Sequence, residues 1–205
     1  MSELGVILLG YLLGSAPFGL LLVRFAGLGD IRSIGSGNIG TTNVLRTGRK
    51  DLAVATLLLD ALKGAIAVGL AALLFEGSQS HMALAGAGAF LGHCFPIWLR
   101  FRGGKGVATY LGIMFAFDWR VGVAAVVLWI LCAVATRYSS LSALSAALLS
   151  PLLLFAFGHF AFGLAAVAMT ALIFLRHREN VERLRAGTES KIGRKAAPTT
   201  VETNG

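Results

Sequence analysis

Apolar residues in this chain come in blocks too long for the core of a soluble domain. Leu4 to Phe25 carries charge only at its end, and a hydrocarbon core of ~30 Å needs about 20 helical residues, so the block predicts a membrane span. Residues 26–50 then bring Gly, Ser, Asn and Arg in close succession and predict a loop. Further spans are predicted over Asp51–Phe75, Met82–Leu99, Trp119–Ala135, Leu141–Phe157 and Phe160–Leu175, with Pro151 kinking the sixth helix. A polar turn, Glu76–His81, and a basic glycine-rich loop, Arg100–Gly106, separate some of these. One block is short. Val107–Phe117 extends ~17 Å at 1.5 Å per residue, too little to cross an unthinned bilayer. Either its helix starts within Gly103–Gly106 or the loop dips into the membrane, and both place Lys105 near buried protein.

Composition supports the same fold class. Counting glycine in place of tyrosine, roughly two-thirds of the 205 residues are apolar, against ~45–50% in soluble domains. The reading is an all-α, polytopic integral membrane protein with about seven transmembrane helices, one of them short or broken. Residues 1–185 form one membrane-embedded domain, and 186–205 a polar tail, disordered beyond Arg194. The first apolar run has no basic segment ahead of it and no cleavage pattern, so it reads as a retained span. Net charge is +8, which on a soluble protein would suggest nucleic acid. Here the distribution argues otherwise: residues 24–50, 100–106, the Arg137 turn and the tail after Leu175 hold 16 of the 18 Lys and Arg. Cytoplasmic loops carry such an excess, which puts the N-terminus outside. A five-span arrangement, with the third and fourth runs as one re-entrant unit, keeps the same parity.

Three polar clusters then fall on the same face. The first is Gly35-Ser36-Gly37-Asn38-Ile39-Gly40-Thr41-Thr42-Asn43, followed by Arg46. Glycines let a backbone approach an anion closely and successive amides can converge on it, so this array suits a phosphate; an ordinary flexible loop is the alternative. It lacks the Gly-Lys-Ser/Thr of a Walker motif. The second is Arg100 to Gly106. Arg100 and Arg102 read as anchors to anionic headgroups, whereas Lys105, between glycines at the mouth of a truncated helix, can reach a phosphate that the helix start also attracts. The third joins Ser139, Ser140 and Ser142 with His177, Arg178 and Asn180. Ser139 reads as a helix cap, and His177 as a surface histidine in a basic tail or as a catalytic group. Within the spans, Asp60 and Lys63 share a helix face and predict a structural ion pair. His93 reads as a hydrogen-bonded interior residue. Cys94 and Cys132 lie in apolar runs without CxxC spacing and read as packing residues. No ligand spacing supports a metal.

At this point the sequence resembles the bacterial acyl-phosphate:glycerol-3-phosphate acyltransferase family of phospholipid synthesis. The resemblance covers most of the chain. It rests on Gly14-Ser15-Ala16-Pro17-Phe18-Gly19; on Asp30-Ile31-Arg32 running through Gly35 to Gly40, Thr42-Asn43 and Arg46; on Gly92-His93 with Pro96 and Gly103-Gly104-Lys105-Gly106-Val107-Ala108-Thr109; and on His177-Arg178-Glu179-Asn180 with Arg183-Leu184 and Gly187-Thr188-Glu189. It implies seven helices in the bacterial inner membrane, a site facing the cytoplasm and an acyl phosphate as donor. The products would be lysophosphatidic acid and inorganic phosphate. It also implies no cofactor, and coupling to an enzyme that makes acyl phosphate. The His-x4-Asp of thioester-using glycerolipid acyltransferases is absent, since none of His81, His93, His159 or His177 has Asp five positions later.

On this reading His177, Asn180, Lys105 and Ser36 are the catalytic candidates. Gly37, Asn38, Gly40, Thr41, Thr42, Asn43, Arg46, Gly103, Gly104, Ser140 and Ser142 bind substrate phosphate. The first loop and Lys105 would hold the acyl-phosphate headgroup, while Arg46 with His177 and Asn180 positions glycerol 3-phosphate. Either His177 or the departing phosphate takes the proton, and the adjacent anionic phosphate is favoured. A transporter of an anionic, phosphorylated solute is the rival reading, and a noncatalytic lipid-binding scaffold the next.

Overall fold

The computed structural model describes residues 2–193, and every described element is helical or irregular. In chain order the helices are α1 (Glu3–Gly14), α2 (Phe18–Phe25), a single turn α3 (Thr41–Val44), α4 (Lys50–Leu74), α5 (Gln79–Cys94), α6 (Val107–Phe117), α7 (Trp119–Thr136), α8 (Ser139–Ala156), α9 (Phe160–Arg176) and α10 (Arg178–Arg185). α1 and α2 together make one 23-residue passage, and α4, α5 with the turn after it, α7 and α8 are each long and apolar enough to cross. α9, which meets α10 at a 60° bend, and the short α6 complete seven apolar passages among the described residues. Their outer surfaces carry exposed Leu73, Val134, Leu152 and Phe160, the side chains a lipid solvent would cover.

Irregular backbone inside this bundle is satisfied by side chains, as a medium without water requires. The sequence predicts an unbroken helix from Leu4 to Phe25, but Pro17 interrupts it, because Pro has no N–H and forces its predecessor out of the helical region. Ser15 Oγ donates to Leu12 O (2.8 Å) and accepts from Trp98 Nε1 (2.8 Å), and Lys63 Nζ donates to Ala16 O (2.8 Å). Pro151 lies inside α8, which continues through it. The carbonyl it leaves free, Ala147 O, accepts from Thr170 Oγ1 on α9 (2.9 Å) and Tyr110 OH on α6 (3.3 Å).

Small residues set the helix spacing. A Cβ on Gly10 or Gly14 of α1 would overlap the backbone of Ala85 or Ala89 on α5, and one on Gly88 or Gly92 would overlap Ile7 or Tyr11 in return. Two four-residue glycine spacings therefore face each other and bring the backbones into contact, the packing that stabilises helices where lipid is as apolar as leucine. Gly64 of α4 and Gly112 of α6 meet in the same way.

α6 begins at Val107, after Gly106 in the left-handed region (φ 84°), and not within the glycine stretch before it. It has 11 residues to the 18 of α7, with which it shares the Asp118 turn. At 1.5 Å per residue its start lies ~10 Å short of the far end of α7, so the loop carrying Lys105 is recessed into the bundle. Of the two ways to accommodate a short helix, the dipping loop is the one adopted. At the opposite end Asp118 caps α7 through Arg120 N (2.9 Å) and bonds His159 Nε2 (3.0 Å), whose other nitrogen meets Gln79 (3.2 Å).

Gly14→Leu should lower the unfolding midpoint in detergent by the equivalent of about 1–3 kcal/mol, since no side chain fits between the two backbones. Gly69→Ala, whose Cβ meets nothing within 4 Å, should leave the midpoint unchanged or raise it by about 0.5–1 kcal/mol.

Candidate active site

The loop between α2 and α4 is organised by one buried amide. Asn43 Nδ2 donates to Asn38 O (2.8 Å), Ile34 O (2.9 Å) and Ile31 O (3.0 Å), and its Oδ1 accepts from Ser36 N (3.1 Å). Gly37 N donates to Ile34 O (3.0 Å), and Gly40 N to Asn38 Oδ1 (3.1 Å). The amides of Ser36, Gly37 and Gly40, expected to cradle a phosphate, are thus engaged in holding the loop, and Asn43 is its centre, with both amide protons committed. What the loop presents outward is side chains: the Ser36 hydroxyl, Thr42 and Arg46 are exposed, and Asn38 is half-buried. Thr41 points inward, its Oγ1 buried without a partner among the described residues.

The second glycine loop is committed in a similar way. Gly103 N and Gly104 N donate to Cys94 O (3.1 Å) and His93 O (3.2 Å), folding the loop back on the end of α5. Their carbonyls accept from Arg176 at the end of α9, at 2.8 Å for Gly103 O and 3.1 and 3.2 Å for Gly104 O. Neither glycine has an N–H to offer an anion, and the charged donor beside them is Lys105. Burial, with Arg183 nearby, draws its ammonium below the ordinary lysine value.

Lys105 Nζ donates to Asn180 Oδ1 in α10. Asn180 Nδ2 donates to Glu189 Oε1 (2.6 Å), which also accepts from Ser140 Oγ on α8 (2.7 Å), while Glu189 Oε2 accepts from Arg183 Nε (2.7 Å). The segment after α10 thus returns across the site: Arg46 Nη2 donates to Ser190 Oγ (2.9 Å), and Ile192 exchanges two bonds with Arg137. Thr42 Oγ1 lies 3.3 Å from Ser139 Oγ, closing a polar network that joins the first loop, the Lys105 loop, the start of α8 and the last described segment. Burial works against the charge of Glu189, but bonds from Asn180, Ser140 and Arg183 outweigh it and hold the carboxylate below its usual range.

Several expectations change on these contacts. Ser139 is the first residue of α8 and not its cap; Tyr138 occupies that position. Ser142 Oγ is committed to Tyr138 O (2.9 Å). His177 is buried and not a surface residue. Its Nδ1 donates to Ile173 O (2.8 Å), a pairing that leaves Nε2 as the lone-pair nitrogen, without a partner among the described residues. Burial, aided by Lys105, brings the imidazole down to about 4, so it is neutral near pH 7. Asp60 and Lys63 pair as expected (2.7 Å). The polar tail proposed from residue 186 is tied into the site as far as Ile192, and the disorder expected beyond Arg194 lies outside the described residues. Glu189 and Arg176 were not anticipated as site residues. Glu189 lies in the Gly187-Thr188-Glu189 motif, but nothing local marks it among the glutamates of a basic tail as the acceptor for Ser140, Asn180 and Arg183.

A family model described as glycerol-3-phosphate acyltransferase matches residues 4–187. A glycerol-3-phosphate acyltransferase of Rhodopseudomonas palustris (strain HaA2) is 58% identical, covering 94% of this chain and 96% of its own, and one of Bradyrhizobium diazoefficiens is 57% identical over 93% and 95%. The fold is similar to the crystal structure of PlsY (YgiH), an integral membrane glycerol 3-phosphate acyltransferase, in its glycerol 3-phosphate form. That pair has a TM-score of 0.89 at 38% identity, with 94% of this chain and 96% of that one covered. The lysophosphatidic acid form gives 0.87 at 36% identity, with 93% and 95% covered.

Replacing Asn43 by Leu removes three donated bonds and one accepted bond, each worth about 0.5–1.5 kcal/mol net. The loop from residue 31 to 46 should then become cleavable by added protease while the helices stay protected, with activity falling in parallel.

Proposed function

The chain belongs to the glycerol-3-phosphate acyltransferase family, and on that premise we propose that this membrane acyltransferase takes its acyl group from an acyl phosphate. The observation that carries the reading is the network linking Lys105, Asn180, Glu189 and Ser140, with Arg46 beside it, at one recessed end of the bundle. Two phosphate-bearing substrates need two cationic anchors close together, and Lys105 and Arg46 supply them from different loops. Lys105, with Ser36 and Asn38, holds the acyl-phosphate headgroup. Arg46, with His177 and Asn180, positions glycerol 3-phosphate, the ligand in which the structural neighbour was described. Membership of the family displaces the transporter reading.

In the reaction the sn-1 hydroxyl oxygen attacks the mixed-anhydride carbonyl. A new ester C–O bond forms, the bond between the acyl carbon and the bridging oxygen breaks, and that oxygen leaves with phosphorus as inorganic phosphate, which takes the hydroxyl proton. Holding the reactants together contributes about 7–11 kcal/mol through lost freedom alone. Neutral His177, with Nδ1–H committed to Ile173, accepts from the hydroxyl through Nε2 and so orients the alcohol. An imidazole held near 4 is a weak base, which favours the phosphate as final proton acceptor. The acyl chain lies towards lipid, each buried CH2 contributing ~0.8 kcal/mol. The ends carrying Lys105, Arg46, Arg137 and Arg176 face the cytoplasm of a bacterial inner membrane by the charge bias of the loops. There the site meets a soluble three-carbon phosphate and an acyl phosphate from a partner enzyme.

Purified protein given acyl phosphate and glycerol 3-phosphate should release phosphate and lysophosphatidic acid in equal amounts; use of a thioester donor alone would overturn the donor assignment. Lys105→Ala should abolish nearly all activity, and retention of a tenth of the rate would remove Lys105 from the anion site. His177→Ala should lower turnover without changing the shape of the pH–rate profile between pH 6 and 8, because the native imidazole does not titrate there; loss of a limb near neutrality would make His177 the base. In the unfolded chain the same histidine titrates near 6.5. The native state thus binds fewer protons between about 6.5 and 4, and the stability due to the neutral ring should fall as pH drops through that window.

A further inference from the structure

Three ionisable side chains lie in the helices beneath the site, and the mechanism uses none of them. Asp60, Lys63 and His93 are each at most 5% exposed. Lys63 bridges Asp60 Oδ1 (2.7 Å) and Ala16 O (2.8 Å), so the carboxylate is neutralised and fixed. The same carboxylate faces His93 Nδ1 at 3.6 Å, and that nitrogen has no hydrogen-bond partner among the described residues. The opposite edge of the ring lies against the glycine loop: a Cβ on Gly104 would collide with His93 Nε2. The backbone of His93 and Cys94 accepts the amides of Gly104 and Gly103, and Arg176 holds their carbonyls. The next residue is Lys105.

We propose that Asp60 and His93 form a positioning pair for acyl transfer, in which the carboxylate orients the imidazole and the imidazole is the floor that sets the height of the Gly103–Lys105 loop. The pair touches no substrate. It acts through the place of the Lys105 ammonium, and so rests on the phosphate-holding role given to Lys105 above. The buried charge has a physical rationale in this role. An aliphatic side chain at position 93 would fill the space, but it would have no fixed orientation relative to α4. A ring that faces a fixed carboxylate on one side presents a defined edge to Gly104, the glycine that precedes Lys105. Gly104 is then required as the one residue that lets the loop rest on the ring.

The test uses the full-length enzyme in detergent or lipid, with His93→Ala, His93→Gln, Lys105→Met and the double variant His93→Ala/Lys105→Met. Readouts are kcat, KM for both substrates, and binding of glycerol 3-phosphate and of a nonhydrolysable acyl-phosphate analogue. The expected result is a folded His93→Ala enzyme with binding of the Lys105-held phosphate weakened at least tenfold. His93→Gln should recover part of the loss, and the His93 change should have no further effect on binding once Lys105 is Met. In addition, Gly104→Ala should be more active in the His93→Ala background than alone, because the added methyl then has room. Constants within twofold of the parent in folded His93→Ala, or an undiminished effect in the Lys105→Met background, would overturn the proposal. If His93→Ala does not fold, His93→Gln decides on the same criteria; failure of both to fold would make the residue structural and overturn it equally. Activity surviving in Lys105→Met alone would instead sink the role of Lys105, which separates the two failures.

Discussion

Arg176 satisfying the carbonyls of Gly103 and Gly104 is the interaction on which the polar end depends. In a bilayer, backbone that is neither helix nor closed sheet persists only where other groups bond its N–H and C=O. A short helix entered through an irregular loop is therefore possible only because a side chain from α9 reaches the loop's carbonyls while α5 accepts its amides. The same rule accounts for Lys63 on Ala16 O at the break before α2, and for Thr170 and Tyr110 on the carbonyl freed by Pro151. Each departure from helical regularity is matched by a polar side chain from a distant part of the chain. Each also ties two passages together.

Recessing the Lys105 loop has an electrostatic consequence. A lysine at this depth needs an acceptor, and it has Asn180, which is itself held by Glu189. The carboxylate collects donors from α8 and α10 and places a negative charge beside Arg183 and near Lys105. That arrangement lets several cations converge without mutual repulsion dominating. Under the proposed mechanism a phosphate arriving beside Lys105 would meet donors already ordered, so little reorganisation would be needed as charge moves to the leaving group.

Tight helix contacts make this order possible. Backbones of α1 and α5 meet through glycines, so the Tyr11 hydroxyl bonds Phe95 O (2.7 Å) and Ser15 takes the Trp98 indole, fixing the turn that precedes the basic loop. A rigid base of this kind is what places the ends of four distant stretches within hydrogen-bond reach of one another.

Hydrophobic block lengths alone determined the all-helical membrane class, the seven passages to within a few residues at their ends, and the shortness of α6, because crossing lipid imposes a length and a composition that no local detail can hide. The Asp60–Lys63 pair was legible too, since three residues on a helix share a face. The identity of the polar clusters was also local: glycines, amides and Lys105 announce themselves. Which atoms those clusters leave free was not. Asn43 reads in sequence as one more donor, yet its amide is consumed by three carbonyls that only folding brings near. Gly103 and Gly104 read as phosphate-binding glycines until α5 supplies acceptors for their amides. Glu189 and Arg176 gain their parts from partners 49 and 73 residues away. Burial, which decides the charge state of His177, is likewise a property of the packed bundle and not of any window along the chain.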